Sequence, residues 1–313
     1  MDCYRQEYTA LATYLNDVDE NRNDPLAKIV AKVEAKKVYG IMSYTDGEKS
    51  QNVSDTHDYH HKSLLEMKLH GDYFKRQINM PNVDIGLSHL WLKNSYLRYE
   101  TESLLCAAQE QALATKHVCS RIFHQGTDTK CRLCGEHDET VHHIVSGCKM
   151  LAANQYLFRH DQVGKYIHWH ILKDLGLKVT DSWIQHVPEN VTTHKEMIIM
   201  WDKAILTDKK LNCNRPDITI HDTKARECIF VDVAMPVCAN VIKKEAEKIT
   251  KYRNLEIEVQ KCWNLSRVHT IPIVVGALGT VSTTILENVK LLSPNIKFST
   301  IQKTALLGTM HIL

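Results

Sequence analysis

The chain has 313 residues, with 39 Lys and Arg against 37 Asp and Glu, a net charge of +2, 43% hydrophobic and 24% charged residues. That balance excludes a disordered, fibrous or collagen-like polypeptide, and it excludes a globally basic one. Any nucleic-acid surface must therefore come from local sorting of lysines and arginines, and the length allows two compact domains or one with a helical extension.

Residues 1–42 read as two helices. Asn23 or Asp24 caps the second, Pro25 sits in its first turn, and Leu26, Ile29, Val30 and Val33 follow at helical spacing. The polar stretch 45–57 reads as a linker, with His57 and the nearby His60 and His61 as solvated loop residues. Helical patterns return at 62–77, at 87–97 and from Thr101, where Leu104, Leu105, Ala108, Ala112 and Leu113 share a face. The N-terminus lacks an apolar signal core. The longest apolar run, 271–278, is too short to span a bilayer and is interrupted by Pro272 and Gly276. The expectation is an intracellular protein without a membrane segment.

Cysteine and histidine cluster at 131–148, where Cys131, Cys134, His143 and Cys148 give the spacing C-x2-C-x8-H-x4-C. Zn²⁺ takes four sulfur or imidazole ligands in a tetrahedron, and a C-x2-C turn supplies two, with Gly135 suited to the turn. His142 would give the x7 variant; His143 is favoured. Without a secretory signal these residues read as ligands for one structural Zn²⁺ per chain, not as disulfides.

Beyond the cluster, a long amphipathic helix spans about 154–175, in which His168 and His170 read as packed or surface residues. Strand-like runs follow at 197–205, 218–220 and 228–234. A highly charged helix at 241–263, a buried strand at 271–275, a turn through Gly276 and Gly279, and a helix at 282–292 complete the series. The order is α-β-β-β-α-β-α, an α+β or α/β fold. In it, Asp217 opens one strand and Asp232 lies within the next, between Val231 and Val233. A carboxylate in such a strand needs a partner, and a divalent cation is one. Two carboxylates on Mg²⁺ can activate a water against a phosphodiester, with a lysine to orient the water or to stabilise developing charge. Position 234 is alanine, so Lys248 is the candidate, sharing a helical face with Lys244 and Tyr252. Taken singly, these signals also fit an α/β domain whose Asp232 meets an ordinary salt bridge.

The ordered set resembles the C-terminal region of site-specific non-LTR retrotransposon proteins that carry a restriction-like endonuclease. It comprises 102–111, the Cys/His cluster, Arg159-His160, Arg215-Pro216-Asp217, Val231-Asp232-Val233, Lys248-x3-Tyr252 and 275–280, from about Trp91 to the C-terminus. The resemblance implies a CCHC zinc knuckle and a PD-(D/E)xK core of order α-β-β-β-α-β. It implies Asp217 and Asp232 as Mg²⁺ ligands, Lys248 as the catalytic lysine displaced into the helix, and Tyr252 in support. Arg159, His160, Arg215, Lys244 and Lys251 become candidate nucleic-acid contacts, with DNA and the element's RNA as partners and the nucleus as location. It divides the chain into a helical linker region, 1–125, the knuckle, 126–150, and the endonuclease domain, 151–313. No Asp-Asp pair occurs, so the polymerase of such polyproteins is missing from this chain. The alternative is an inactive nucleic-acid-binding fragment.

Overall fold

A computed structural model describes residues 72–313 except 79, 95 and 127, together with Tyr59, Lys62, Ser63 and Glu66. The helices expected at 1–42, the linker at 45–57, and His57, His60 and His61 lie outside the described residues. Contacts divide the chain into two compact units, 1–75 and 76–313. The boundary expected at 125/126 thus falls inside the second unit. Trp91 and Leu105 bury themselves against Leu306 near the C-terminus, so the helices Leu90–Asn94 and Tyr99–Gln109 belong to the same body as the residues after the knuckle.

The second unit is a mixed α+β structure with one five-stranded sheet. Its main helices are α1 (Tyr99–Gln109), α2 (Lys116–Arg121), α3 (Val141–Ser146), α4 (Leu157–Asp174), α5 (Val241–Lys251), α6 (Arg253–Cys262), α7 (Ile285–Leu292) and α8 (Phe298–Ile312). The strands are β1 (Val191–His194), β2 (Met197–Trp201), β3 (Ile218–Asp222), β4 (Glu227–Ala234) and β5 (Arg267–Val274), paired in that order. The first three pairings are antiparallel, while β4 and β5 run parallel, joined through α5 and α6. A parallel pair needs such a crossover, whereas the antiparallel pairs close through loops.

The expected strand at 197–205 ends at Trp201, the expected 241–263 helix breaks at Tyr252, and β1 and α8 add to the expected series. A π-helical turn, Ala152–Tyr156, precedes α4.

Strand β4 is apolar on both faces, as a strand covered by helices on both sides must be. Val231 and Val233 point into a core shared with Val163, Ile167 and Ile171 of α4 and with Ile285, Ile301 and Ala305 of α7 and α8. Cys228 and Phe230 point the other way, toward Tyr252, Leu255 and Val259. Period-two alternation puts Asp232 on this second face, under α5.

Helix α4 approaches the sheet closely at Gly164, where an added Cβ would stand 2.7 Å from Cη2 of Trp201. Gly164→Ala is expected to cost about 1–3 kcal/mol by overpacking, read as a lowered urea midpoint with an unchanged slope.

His168 of α4 is fully buried, with Nδ1 2.8 Å from Nε2 of His186. Burial first, then the neighbouring His186, pulls its pKa down from 6.5 to about 4. Between those values the unfolded chain binds a proton that the folded one refuses. This contribution is complete above pH 6.5 and is lost as pH falls toward 4, by about 3 kcal/mol. Urea unfolding at pH 7 and pH 5 should show the loss, and His168→Asn should flatten it. An equally steep response in the variant would contradict this assignment.

Among the described residues, no helix is long and apolar enough to cross a membrane.

Candidate functional site

Two sites emerge, and the first is the Cys/His cluster. Gly135, at φ +67°, allows the turn after the C-x2-C pair, and its N–H donates to the Cys131 carbonyl at 2.8 Å. Cys131 N–H donates to the His137 carbonyl at 2.8 Å, and a bridge from Lys130 to Asp138 closes the hairpin. Thr140 then caps α3, accepting from His143 N–H at 3.1 Å, and that short helix delivers His143. The ligating atoms of Cys131, Cys134, His143 and Cys148 all lie within 4.8 Å of one another, with Cys134 Sγ 3.3 Å from His143 Nε2. Tetrahedral bonds of roughly 2.3 Å need sulfur atoms about 3.7 Å apart. The four therefore form a Cys₃His cluster that could hold a structural metal such as zinc.

The choice between His142 and His143 is resolved by direction: His142 turns away, its Nε2 3.2 Å from Nε2 of Gln111. Burial holds the His143 pKa below its usual value, which favours the neutral ligating form.

Two side chains, buried Glu139 and half-buried Tyr156, fasten the knuckle to the rest of the unit. Glu139 takes the Arg132 guanidinium at 2.7 Å, the Arg132 N–H at 2.9 Å and the Lys116 N–H of α2 at 3.0 Å. Burial alone would raise its pKa, yet these donors hold it at about 2. Tyr156 accepts from Cys148 N–H at 3.0 Å and donates to the Ile144 carbonyl at 2.6 Å.

The second site lies where β3 begins and β4 ends. Ile218 pairs with Val231, which puts Asp217 and Asp232 one step further along adjacent strands. Asp232 is fully buried; its Oδ1 accepts from the Tyr252 hydroxyl at 2.6 Å and from Lys251 Nζ at 3.3 Å. Its Oδ2 meets the ammonium of Lys248 in an ion pair. Lys251 also donates to the Tyr252 oxygen at 2.7 Å. Burial, followed by the Asp232 charge, pushes the Tyr252 pKa up, so its hydroxyl stays a donor.

Asp217 is partly exposed, and its Oδ2 accepts from Val233 N–H at 2.6 Å and from His160 Nε2 at 2.9 Å. Among the described residues nothing hydrogen-bonds its Oδ1. Burial alone would raise the Asp217 carboxyl, but His160 above all, then the Val233 N–H and Lys248, hold it low. Burial likewise opposes the charge on His160, and Asp161 with Asp217 outweighs it, lifting its pKa to about 10.

The structure thus brings together Asp217, Asp232, Lys248 and Tyr252. It also brings in His160 and Lys251, which the sequence reading assigned to nucleic acid. Arg159 needs correction as a nucleic-acid contact. It is 2% exposed, donates to Thr309 Oγ1 at 2.8 Å, and burial pulls its pKa down to about 10. Its stem lies over Gly308, where a Cβ would stand 2.5 Å from Arg159 Cγ, so it is an interior residue with no surface to offer. Arg215 is exposed but turned onto Asp202, at 2.7 Å. Lys244 is half-exposed beside Glu247, at 2.9 Å, and does not reach the acids.

Ser146 of α3 donates to the Met235 carbonyl at 3.3 Å, and a groove of about 340 Å³ separates the knuckle from the start of α5, lined in part by Lys243 and Lys244.

No protein-family model matches this sequence, and no curated protein matches it either.

Proposed function

We propose that the chain is the DNA-nicking portion of a non-LTR retrotransposon polyprotein, with a restriction-endonuclease-like core that uses Mg²⁺ and a knuckle that holds Zn²⁺. The single observation that carries this reading is the convergence of Asp217, Asp232, Lys248 and Tyr252, from two strands and a following helix, at one end of the sheet. With β1 as an added edge strand between α4 and β2, the element order α4, β2, β3, β4, then α5–α6, then β5 supports the α-β-β-β-α-β core.

The donor set suits a hard cation. Asp217 Oδ1 is open, and the Asp232 carboxylate is paired with two lysines in a buried strand. Asp217 and Asp232 would hold Mg²⁺, which lowers the pKa of bound water and polarises the phosphodiester. Lys248 orients the attacking water or meets the charge that develops on the phosphate, reached from Asp232 by a small movement of its flexible chain. Tyr252 keeps its proton and fixes Asp232 Oδ1. Ala234 stands where a strand lysine would otherwise sit, and α5 supplies the ammonium instead. DNA is the substrate, and nuclear DNA the target, in this reading.

The test is nicking of supercoiled plasmid with Mg²⁺ by the wild type, Asp217→Ala and Asp232→Ala. Activity lost in both variants supports the reading. Equal activity in all three rejects it, and salt-sensitive DNA binding without nicking would leave the inactive nucleic-acid-binding module as the better account.

A further inference from the structure

The start of α4 carries Arg159, His160 and Asp161 in succession. Arg159 turns inward, and His160 turns toward the acidic pair, 24% exposed. Its Nε2 is 2.9 Å from Asp217 Oδ2 and its Nδ1 is 3.0 Å from Asp161 Oδ1. Carboxylates only accept, so both ring nitrogens carry hydrogen and donate. The ring has no donor left for a phosphate. On Asp217 the consequence is geometric. Oδ2 already takes the Val233 N–H at 2.6 Å, and the His160 bond lands on the same oxygen. Rotation of the carboxylate about Cβ–Cγ breaks one or both bonds, so Oδ1 stays turned to the open side.

We infer that His160, itself steadied by Asp161, is a positioning residue that fixes the Asp217 carboxylate so that Oδ1 is presented to a divalent cation. This rests on the nuclease reading and deepens it. It assigns to the acidic site a histidine that would otherwise count as a nucleic-acid contact. Groups that hydrogen-bond a ligating carboxylate typically contribute 10–100-fold to metal affinity or activity.

The experiment uses the full chain as wild type, His160→Ala, His160→Gln and Asp161→Ala, with Asp217→Ala as the blank that isolates this site from the knuckle. Mn²⁺ affinity is measured by calorimetry and by the electron paramagnetic resonance of the bound ion. DNA affinity against salt and the kcat of nicking are measured in parallel. His160→Ala should weaken Mn²⁺ by about 10–100-fold and lower kcat comparably, with DNA affinity and its salt slope unchanged. His160→Gln places an amide nitrogen near the position of Nε2 and should restore most of the loss, and Asp161→Ala should show a smaller loss in the same direction. Should His160→Ala fail to fold, the glutamine and Asp161→Ala variants carry the comparison.

Unchanged Mn²⁺ affinity across the His160 and Asp161 variants overturns the inference alone. So does a loss confined to DNA affinity and salt slope, which would return His160 to nucleic-acid contact. A wild type that binds no more Mn²⁺ than the Asp217→Ala blank overturns the nuclease reading, and this inference with it.

Discussion

Stripped of metal by a strong chelator, the protein is expected to melt on the order of 10 °C lower than untreated protein. Metal analysis of the untreated sample should find one zinc per chain. The knuckle has little else to hold it. Val141 and Val145 are its buried aliphatic anchors, and the hairpin tip at 132–137 is mostly exposed. In zinc-dependent fingers the ion contributes about 10–16 kcal/mol at neutral pH. The effect here is smaller, because Glu139 and Tyr156 still tether the segment to α2 and to the start of α4. Cys134→Ser should mimic the chelator and His142→Ala should not, since His142 faces Gln111. A protein with no zinc and a melting temperature indifferent to chelation would refute the assignment.

The second large effect is at Asp232. Asp232→Asn keeps the shape but leaves Lys248, 15% exposed, without its counter-charge. Removing one member of a buried pair costs about 3–5 kcal/mol. The value should lie toward the lower end, because Lys251 keeps part of its hydration. Nicking should fall about 10³-fold or more, since several kcal/mol of charge stabilisation are lost and each 1.36 kcal/mol is a factor of ten. The double variant Asp232→Asn with Lys248→Met separates the two consequences: stability recovers in part, and activity does not. Activity that returned along with stability would mean that Asp232 matters only for folding.

The sites and the scaffold differ in how far they could be read from residues. The C-x2-C spacing is readable because metal geometry acts locally, whereas the choice of His143 depends on the direction in which a six-residue helix points its side chains. Asp217, Asp232, Lys248 and Tyr252 were readable as a set because strand pairing and the i, i+4 step bring such positions together. Lys251 reaches the same carboxylate from the last position of α5, one i, i+3 step beyond Lys248.

Strand β1 was hidden by its composition. Val191-Thr-Thr-His194 lies half-exposed at the sheet edge, with one apolar residue to mark it. Helix α8 was hidden by buried polar groups. Gln302 is fully buried and donates to the carbonyls of Leu87, Ser88 and Gly279, so a residue that reads as solvent-facing in fact joins three segments. Arg159 misled for a related reason. The cavity that accepts it is made by Gly308 and Thr309, 150 positions away, and no local pattern announces it.

The Tyr156 hydroxyl has a bearing on how variants of the knuckle should be interpreted. It joins the backbone around Cys148 to the first turns of α4, and one helical turn further on stands His160. The two metal chemistries proposed for this chain therefore share a single lever arm. A cysteine variant that diminishes nicking would do so through the pitch of that arm as readily as through a weakened hold on DNA. Tyr156→Phe, which leaves every ligand and every basic residue in place, is the control that tells transmission from grip.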